Sequence, residues 1–522
     1  MNQMTLDTIT PLASIQAAVG AEALITDATE LNYFSHDVFS RGATPIAVFR
    51  PTDTDMLARG IAAATAAGIA IVPRGGGMSY TGGYLAPTAT SLLIDTGAMD
   101  RILDINAEDM TVTVEAGCTW DKLHRTLKAQ ELRTLAWGTL SGLHATVGGG
   151  MSQNGVFWGA SGGTVVDAAL NFQVVLADGT VMSTGSAFFR PFGPDITGLF
   201  AADCGALGVK ATVTLKLVRD GVAFAYGSFS FPDAASFFGA MSAVAREGLA
   251  SESFGFDPYL QSQRMKRDSL TKDAKSLVNM MKAQGSAWKA IKEGAKVIAA
   301  GRSFLDDVPF SLHLICEGRY QSAVDADMKA IEAIAAQHGG HVIENTIPKI
   351  MRANPFPPVN SMVGPEGERW VPVHGFLPHS RLVEGWDRIQ ALFAANQEEM
   401  DAHGVAAGAM LAAVSRSTCL IEPVFFWPDA LEDLHCRSVE ADHLAKLKRF
   451  PENAESRALV VRLRGEIVAL FRDLDATHLQ VARTYPLEAG SDPAAWQLLT
   501  AIKATVDPKG LMNPGSLGLA KA

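Results

Sequence analysis

Two rhythms of apolar residues run through the first 220 positions, one near the helical period and one of period two. The stretch DMLARGIAAATAAG keeps apolar side chains at helical spacing. The strand-like run Ala70–Pro73 (AIVP) follows it and leads through Arg74 into Gly75-Gly76-Gly77. SLLID and the alternating TVTVE read as strands, and DKLHRTLKAQELR returns to helical spacing. NFQVVLADGTVMSTG reads as a hairpin, because Asp178-Gly179 supplies tight-turn chemistry. Strand, helix, strand and hairpin in this order predict an α+β domain over residues 1–220 rather than a doubly wound sheet.

From residue 221 to 472 the texture changes. Long amphipathic stretches (DADMKAIEAIAAQHGG and LAKLKRFPENAESRALVVRLRGEIVALFRDL) alternate with strand-like FSLHLICEGRY and CLIEPVFFW, which predicts a second α+β unit. Residues 473–522 form a closing segment. It holds a strand-like ATHLQVARTY, a helix ended by Asp507-Pro508, and a tail rich in glycine and proline.

At 522 residues two or three structural units are expected, and an apolar fraction of 48% excludes a disordered chain. A formal net charge of −11 argues against a nucleic-acid partner, which would require a concentrated basic surface. Cys118, Cys204, Cys316, Cys419 and Cys436 are far apart and show no metal-ligand spacing, so no metal site is expected. So sparse and odd a set suits a reducing compartment. No basic, apolar leader opens the chain, and no apolar run reaches the roughly 18 residues of a membrane span. The expectation is a cytoplasmic protein.

Three glycine-dense segments stand out. The first, Pro73-Arg74-Gly75-Gly76-Gly77-Met78-Ser79, follows a strand and exposes backbone N–H groups that could cradle a pyrophosphate. It does not open into a helix as a Rossmann GxGxxG does, and no GKS or GKT follows as in a P-loop. The second, Thr139 to Gly155, places Gly148-Gly149-Gly150 among small hydroxyl residues in a stretch nearly free of charge. The third is CGALGVKAT, Cys204 to Thr212. Each alone is compatible with tight turns, but three in fixed order point to a bound anionic cofactor.

That order resembles the FAD-binding domain of the vanillyl-alcohol oxidase and p-cresol methylhydroxylase superfamily. The likeness runs through YFSHDVFSRGATPIAVFRP, PRGGGMSYTGG, TVGGGMSQNG and CGALGVKATVTLKL, and resumes at VDPKGLMNPGSLG. It implies a two-lobed FAD domain, a cap domain over the substrate side, and a C-terminal segment returning to the FAD domain. By resemblance, Pro73, Arg74, Gly75, Gly76, Gly77, Met78 and Ser79 would hold the FAD phosphates. Thr146, Val147, Gly149, Gly150, Ser152 and Gly155 would line the flavin, with Gly208 and Val209 near an edge of the cofactor. Some members attach FAD through a histidine in the first loop. Met78 occupies that position here, and His374, His435 and His443 in the cap fall in no attachment motif, so non-covalent FAD is expected.

The cap lacks the GHxGDGNxH metal motif of D-2-hydroxy-acid dehydrogenases in this superfamily. Of the Tyr-Arg pair typical of its phenol-oxidising branch it keeps Arg483 but has Ala482 where the tyrosine stands. A substrate alcohol needs a base and an anchoring cation or donor. The candidates are His374, in an apolar, turn-flanked stretch, and His478, Arg483 and Tyr485 on one expected strand. Arg483 and Tyr485 would share a face of it. Arg319 and Arg416 are further cations, and Glu422, within CLIEPVFFW, is a carboxylate that needs a partner if buried. The resulting expectation is an FAD-dependent oxidoreductase acting on a CH–OH or activated C–H group of a small substrate, a 2-hydroxy acid by preference. The alternatives are an aryl alcohol oxidase of the vanillyl type and a non-catalytic flavin or nucleotide binder. The electron acceptor and the oligomeric state stay open, a homodimer among the options.

Overall fold

A computed structural model describes residues 12–267 and 308–519. Three sheets follow one another along the chain. The first has β1 (Leu24–Ile25), β2 (Ala47–Phe49), β3 (Ile71–Arg74) and β4 (Leu92–Asp95) in the order β1-β2-β4-β3. Its three longer strands are parallel. The helix Thr54–Ala66 connects β2 to β3. Asp53 caps it by accepting from the Met56 N–H, and it buries Leu57, Ile61 and Ala64 on one stripe.

The second sheet is antiparallel. It comprises β5 (Ile102–Asn106), β6 (Thr111–Glu115), β7 (Leu132–Thr134), β8 (Ala169–Val175), β9 (Val181–Ser183) and β10 (Val209–Arg219). The order is β5-β6-β10-β8-β9, with β7 on the far end of β10. The expected hairpin is β8–β9. Gly179 takes φ +85° at its turn and Asp178 accepts from the Thr180 N–H.

Between Arg219 and Ala223 the chain passes into the third sheet, with strands β11 (Ala223–Phe231), β12 (Glu252–Phe256), β13 (Phe310–Gly318), β14 (His341–Val342), β15 (Arg369–Pro372), β16 (Gly375–Pro378), β17 (Ala406–Val414) and β18 (Thr418–Trp427). Its order is β14-β11-β13-β12-β17-β18-β15, and β16 also pairs with β18. Alternation along β18 sorts its side chains onto two faces. Cys419, Ile421, Phe425 and Trp427 enter the core shared with the cap helices. Leu420, Val424 and Phe426 enter a core shared with Trp137, Trp158 and Val147 of the first domain. The cap sheet therefore covers the second sheet's side of the molecule with one face and carries its own helices on the other.

The long amphipathic stretch near the end of the cap divides around Pro451. A short helix spans Ala441–Leu444, and Asn453 then caps the helix Ala454–Asp473. The C-terminal segment returns to the first sheet, where Ile71 donates to the Leu511 carbonyl and accepts from the Asn513 N–H. One expected element is absent. ATHLQVARTY makes a single bridge, Thr477 with Phe376, and then turns irregularly, with Gln480 at φ 49° and Ala482 at φ 40°. Alternation suggested a strand there, but long-range bonds override it. The Gln480 N–H donates to Gln153, and the Ala482 carbonyl accepts from Leu517. Among the described residues no helix is long and apolar enough to cross a membrane.

Candidate cofactor cleft and active site

The three glycine-dense segments meet at one cleft. Pro73, Arg74, Gly75, Gly76, Gly77, Met78 and Ser79 line one side; Thr146, Gly149, Gly150, Ser152 and Gly155 line another; Gly208 and Val209 close it. Val147 is the exception. It is fully buried in the core beneath the cleft, so its side chain faces away from any ligand there.

Glycine is required where the loops touch each other. A Cβ on Gly76 would collide with the His144 carbonyl oxygen, and one on Gly75 with Thr146 Oγ1. Gly77 takes φ +72°, a left-handed conformation that few other residues adopt at low cost. The Tyr84 hydroxyl pins this turn by donating toward the carbonyls of Gly77 (2.7 Å) and Ser79 (3.1 Å). Among the described residues, the backbone N–H groups of Gly75 to Met78 donate to nothing.

Arg74 sits beneath this turn, buried among Tyr33, Phe34 and Tyr84, with its guanidinium carbon 4.7–5.5 Å from the three ring centres. Its Nε has no hydrogen-bond partner. A buried, permanently charged donor beside four unused N–H groups makes an anion seat. These residues fit the pyrophosphate of a dinucleotide cofactor such as FAD.

Several residues of the cleft escaped the sequence reading. Lys210, on β10, reaches Asp203 at 2.6 Å and donates to Ser152 Oγ at 2.9 Å, both acid and amine being buried. A lysine inside the apolar strand VKATVTLKLV was the available signal. Gln480 also lines the cleft. Its Oε1 accepts from Ser79 Oγ (2.9 Å) and its Nε2 donates to the Tyr80 hydroxyl (3.1 Å), which ties the C-terminal segment to the first glycine loop.

Glu422 lies on the β18 face shared by Leu420 and Val424, opposite the cap's own core. Among the described residues no hydrogen bond or ion pair reaches it. Burial pushes its carboxyl up to about 8. It is near enough to Tyr80 and Tyr485 for its charge to act on both phenols, which burial in turn raises. A buried guanidinium, Arg464, touches the Tyr80 carbonyl at 3.4 Å and has no carboxylate at ion-pair distance among the described residues.

None of the expected catalytic residues is among those lining the glycine cleft. His374, Tyr485 and His478 are brought together, but as a closed knot. His374 Nε2 donates to the Leu479 carbonyl at 2.8 Å, and its Nδ1 accepts from the Tyr485 hydroxyl at 3.0 Å. Burial lowers the His374 imidazole to about 3, so it is neutral. His478 stacks on Tyr485 at 4.0 Å and donates from Nδ1 to the His374 carbonyl, and burial lowers its imidazole too. Arg483 spends both terminal nitrogens on the carbonyls of Gly82, Leu85 and Pro514 and on Asn513 Oδ1. It clamps the C-terminal segment to the loop after the first glycine run and has no terminal N–H left for a substrate. Arg319 and Arg416 are exposed.

Residues 45–185 match the FAD binding domain family, and residues 481–517 match the C-terminal domain of FAD linked oxidases. Among curated relatives, the glycolate oxidase subunit GlcD of Bacillus subtilis is 33% identical over 192 residues, 35% of this chain and 40% of that protein. D-2-hydroxyglutarate dehydrogenase of Xanthomonas citri is 27% identical over 209 residues, 40% of this chain and 44% of the relative. The matched stretch thus spans less than half the length of either. Among solved structures, p-cresol methylhydroxylase superposes over 98% of this chain and 97% of its own, with a TM-score of 0.71 at 17% identity. For 4-ethylphenol oxidase from Gulosibacter chungangensis the figures are 99%, 98%, 0.66 and 16%. At such identities these likenesses speak for the fold alone. The two family matches fall in the same order as the cleft's building blocks: the chain carries an FAD binding domain and the C-terminal domain of FAD linked oxidases, it has the fold of p-cresol methylhydroxylase, and its cofactor is FAD.

Proposed function

We propose that this protein oxidises a CH–OH or activated C–H group of a small organic substrate, a 2-hydroxy acid by preference, with FAD held non-covalently. The observation that carries the reading is the pairing of an anion seat lined by Arg74 and Gly75–Met78 with an unpartnered carboxyl, Glu422, on the cap face turned toward the FAD domain. Bound FAD supplies the acceptor for a hydride.

The chain's residues do the rest. Arg74 and the first-loop amides hold the phosphates, and Lys210, fixed by Asp203 and Ser152, places a positive charge on the cleft wall. Ionised Glu422 takes the substrate's hydroxyl proton, so that loss of hydride and proton leaves a carbonyl product. Tyr80, oriented by Gln480, offers a hydroxyl beside it. Arg464 adds positive potential that favours an anionic substrate. Two curated relatives named for hydroxy acids, glycolate and D-2-hydroxyglutarate, support this class.

The test is anaerobic mixing of the yellow holoprotein with D- and L-2-hydroxy acids and with aryl alcohols. Bleaching of the flavin bands by a hydroxy acid is the expected result. Bleaching only by a phenolic alcohol would move the assignment to the aryl alcohol class, and no bleaching by any of them would make the protein a flavin binder without this chemistry. Acid precipitation should release the FAD, and flavin left on the polypeptide would overturn non-covalent binding.

A further inference from the structure

Lys210 is a buried ammonium where the second and third glycine segments meet. It is the second residue of β10, 3% exposed, and it lines the cleft together with Ser152, Cys204 and Gly205. Its neighbours Val209 and Ala211 enter the core of the first sheet, so a lysine here is out of keeping with the strand around it. An ammonium left alone at this depth would be strongly destabilising, and buried Asp203 supplies the counter-charge at 2.6 Å. The same carboxylate accepts the N–H groups of Gly205 at 3.0 Å and Leu207 at 3.4 Å, so the ion pair also shapes the third glycine segment. The ring of Phe172 lies 5.4 Å from Nζ on another side.

The supply of protons around Nζ decides how Ser152 is oriented. An ammonium carries three protons and no lone pair, so in its 2.9 Å contact with Ser152 Oγ the lysine can only donate. Ser152 Oγ therefore accepts, and its own proton points away from Nζ. Ser152 sits in the helix Val147–Gln153, where a serine can turn its proton back on the carbonyl four residues earlier. That carbonyl belongs to Gly148, and among the described residues neither it nor any other acceptor meets the Ser152 proton. Ser152 is half-buried and lines the cleft. Gly149, one turn back on the same helix, faces Gly75 of the first loop, so the free proton opens on the space that the anion seat borders.

We propose that Lys210 is a positioning residue for the cofactor: it fixes the Ser152 hydroxyl as a donor to an acceptor atom of bound FAD. Lys210 donates to both Asp203 and Ser152, and Ser152 donates on to the cofactor. A hydroxyl that already accepts from a cation is the stronger donor, because the charge polarises its O–H bond. A free hydroxyl can serve as donor or acceptor and loses rotational freedom when a ligand selects one role. The lysine makes that selection before FAD arrives, which is preorganisation of the site.

The test is a mutant cycle read as FAD affinity, by flavin fluorescence titration of full-length protein stripped of its cofactor. Ser152→Ala removes the donor and leaves the ion pair. The double variant Asp203→Asn, Lys210→Met removes the pair without stranding a buried charge. Ser152→Ala should raise the Kd for FAD about 10- to 100-fold, and the double variant about 3- to 10-fold, since its serine still donates but without the cation behind it. Combining all three substitutions should weaken binding no further than Ser152→Ala alone, because the lysine then has no hydroxyl to act through. Two results overturn the proposal. Ser152→Ala may not bind FAD as wild type does, and the combined variant must not lose affinity beyond the alanine variant, which would mean that the lysine acts on FAD directly or through the fold. Should the neutralised pair not yield folded protein, Lys210→Gln, whose amide still donates to Asp203, takes its place in the cycle under the same two criteria.

Discussion

The Tyr485 hydroxyl satisfies two groups of one residue: it accepts the His374 backbone N–H at 2.9 Å and donates to His374 Nδ1 at 3.0 Å. The second ring contact, Nε2 to the Leu479 carbonyl, fixes the neutral tautomer. This knot joins the cap to the C-terminal segment and leaves His374 no free ring nitrogen. Tyr485→Phe leaves a buried N–H and a buried ring nitrogen without partners, which costs about 2–4 kcal/mol. Thermal unfolding should show it. A pH profile of turnover unchanged from wild type would confirm that neither residue exchanges protons with substrate.

His374 also sets an acid limit. Its folded value, about 3, lies below the ordinary 6.5, so between these values the unfolded chain takes a proton that the folded one refuses. Stability contributed by His374 is full above about 6.5 and is lost as pH falls toward 3. Buried His435 and His124, both lowered to about 3 by burial, act in the same direction. Urea midpoints should decline steadily below pH 6.5, and His374→Asn, which keeps an acceptor for Tyr485, should flatten that slope while lowering the plateau.

Arg483 holds four oxygens of two chain segments, 82–85 and 513–514. Arg483→Met should destabilise by about 3 kcal/mol or more, because the carbonyls of Gly82, Leu85 and Pro514 lose charged donors. KM of the variant that remains folded should match wild type. A KM raised a hundredfold with unchanged melting temperature would restore Arg483 as a substrate anchor.

Glu422 gives a signal of opposite sign in catalysis and in stability. Its folded value, about 8, is above the ordinary 4.5, so the folded state holds the proton more tightly and stability falls as pH rises through this window. Turnover that needs the carboxylate should rise through about pH 8. Glu422→Gln should lower kcat/KM by about 10²- to 10⁴-fold and remove the rise, while melting higher than wild type above pH 8. A variant stabilised at high pH with normal turnover would leave Glu422 without a catalytic part.

Gly76 and Gly149 should respond differently to alanine. At Gly76 a Cβ meets the His144 carbonyl, a backbone atom that cannot move alone, so about 2–3 kcal/mol of stability should go with the FAD. At Gly149 the nearest atom is Thr146 Oγ1 at 3.0 Å and the next lies at 4.0 Å. Gly149→Ala should keep the apoprotein's melting temperature and weaken FAD binding. Flavin fluorescence titration against both melting curves separates the two cases.

Local chemistry was readable from the residues in order. The hairpin follows from Asp178-Gly179, the helix Thr54–Ala66 from its cap and apolar stripe, and the glycine loops from the backbone freedom they need. In each case the deciding interactions lie within a few residues of one another, where sequence spacing is also spatial spacing. Arg483, Gln480 and Glu422 are different. Arg483 and Gln480 bond to groups some 400 positions away, and Gln480 stands in a left-handed conformation that no residue pattern announces. An alternating stretch was therefore read as a strand, and the four oxygens that Arg483 holds could not be foreseen. Whether a polar side chain serves the fold or the substrate depends on how many of its donors and acceptors the rest of the chain has already taken. Only the tertiary structure decides that, because burial and long-range hydrogen bonds are set after the segments have met.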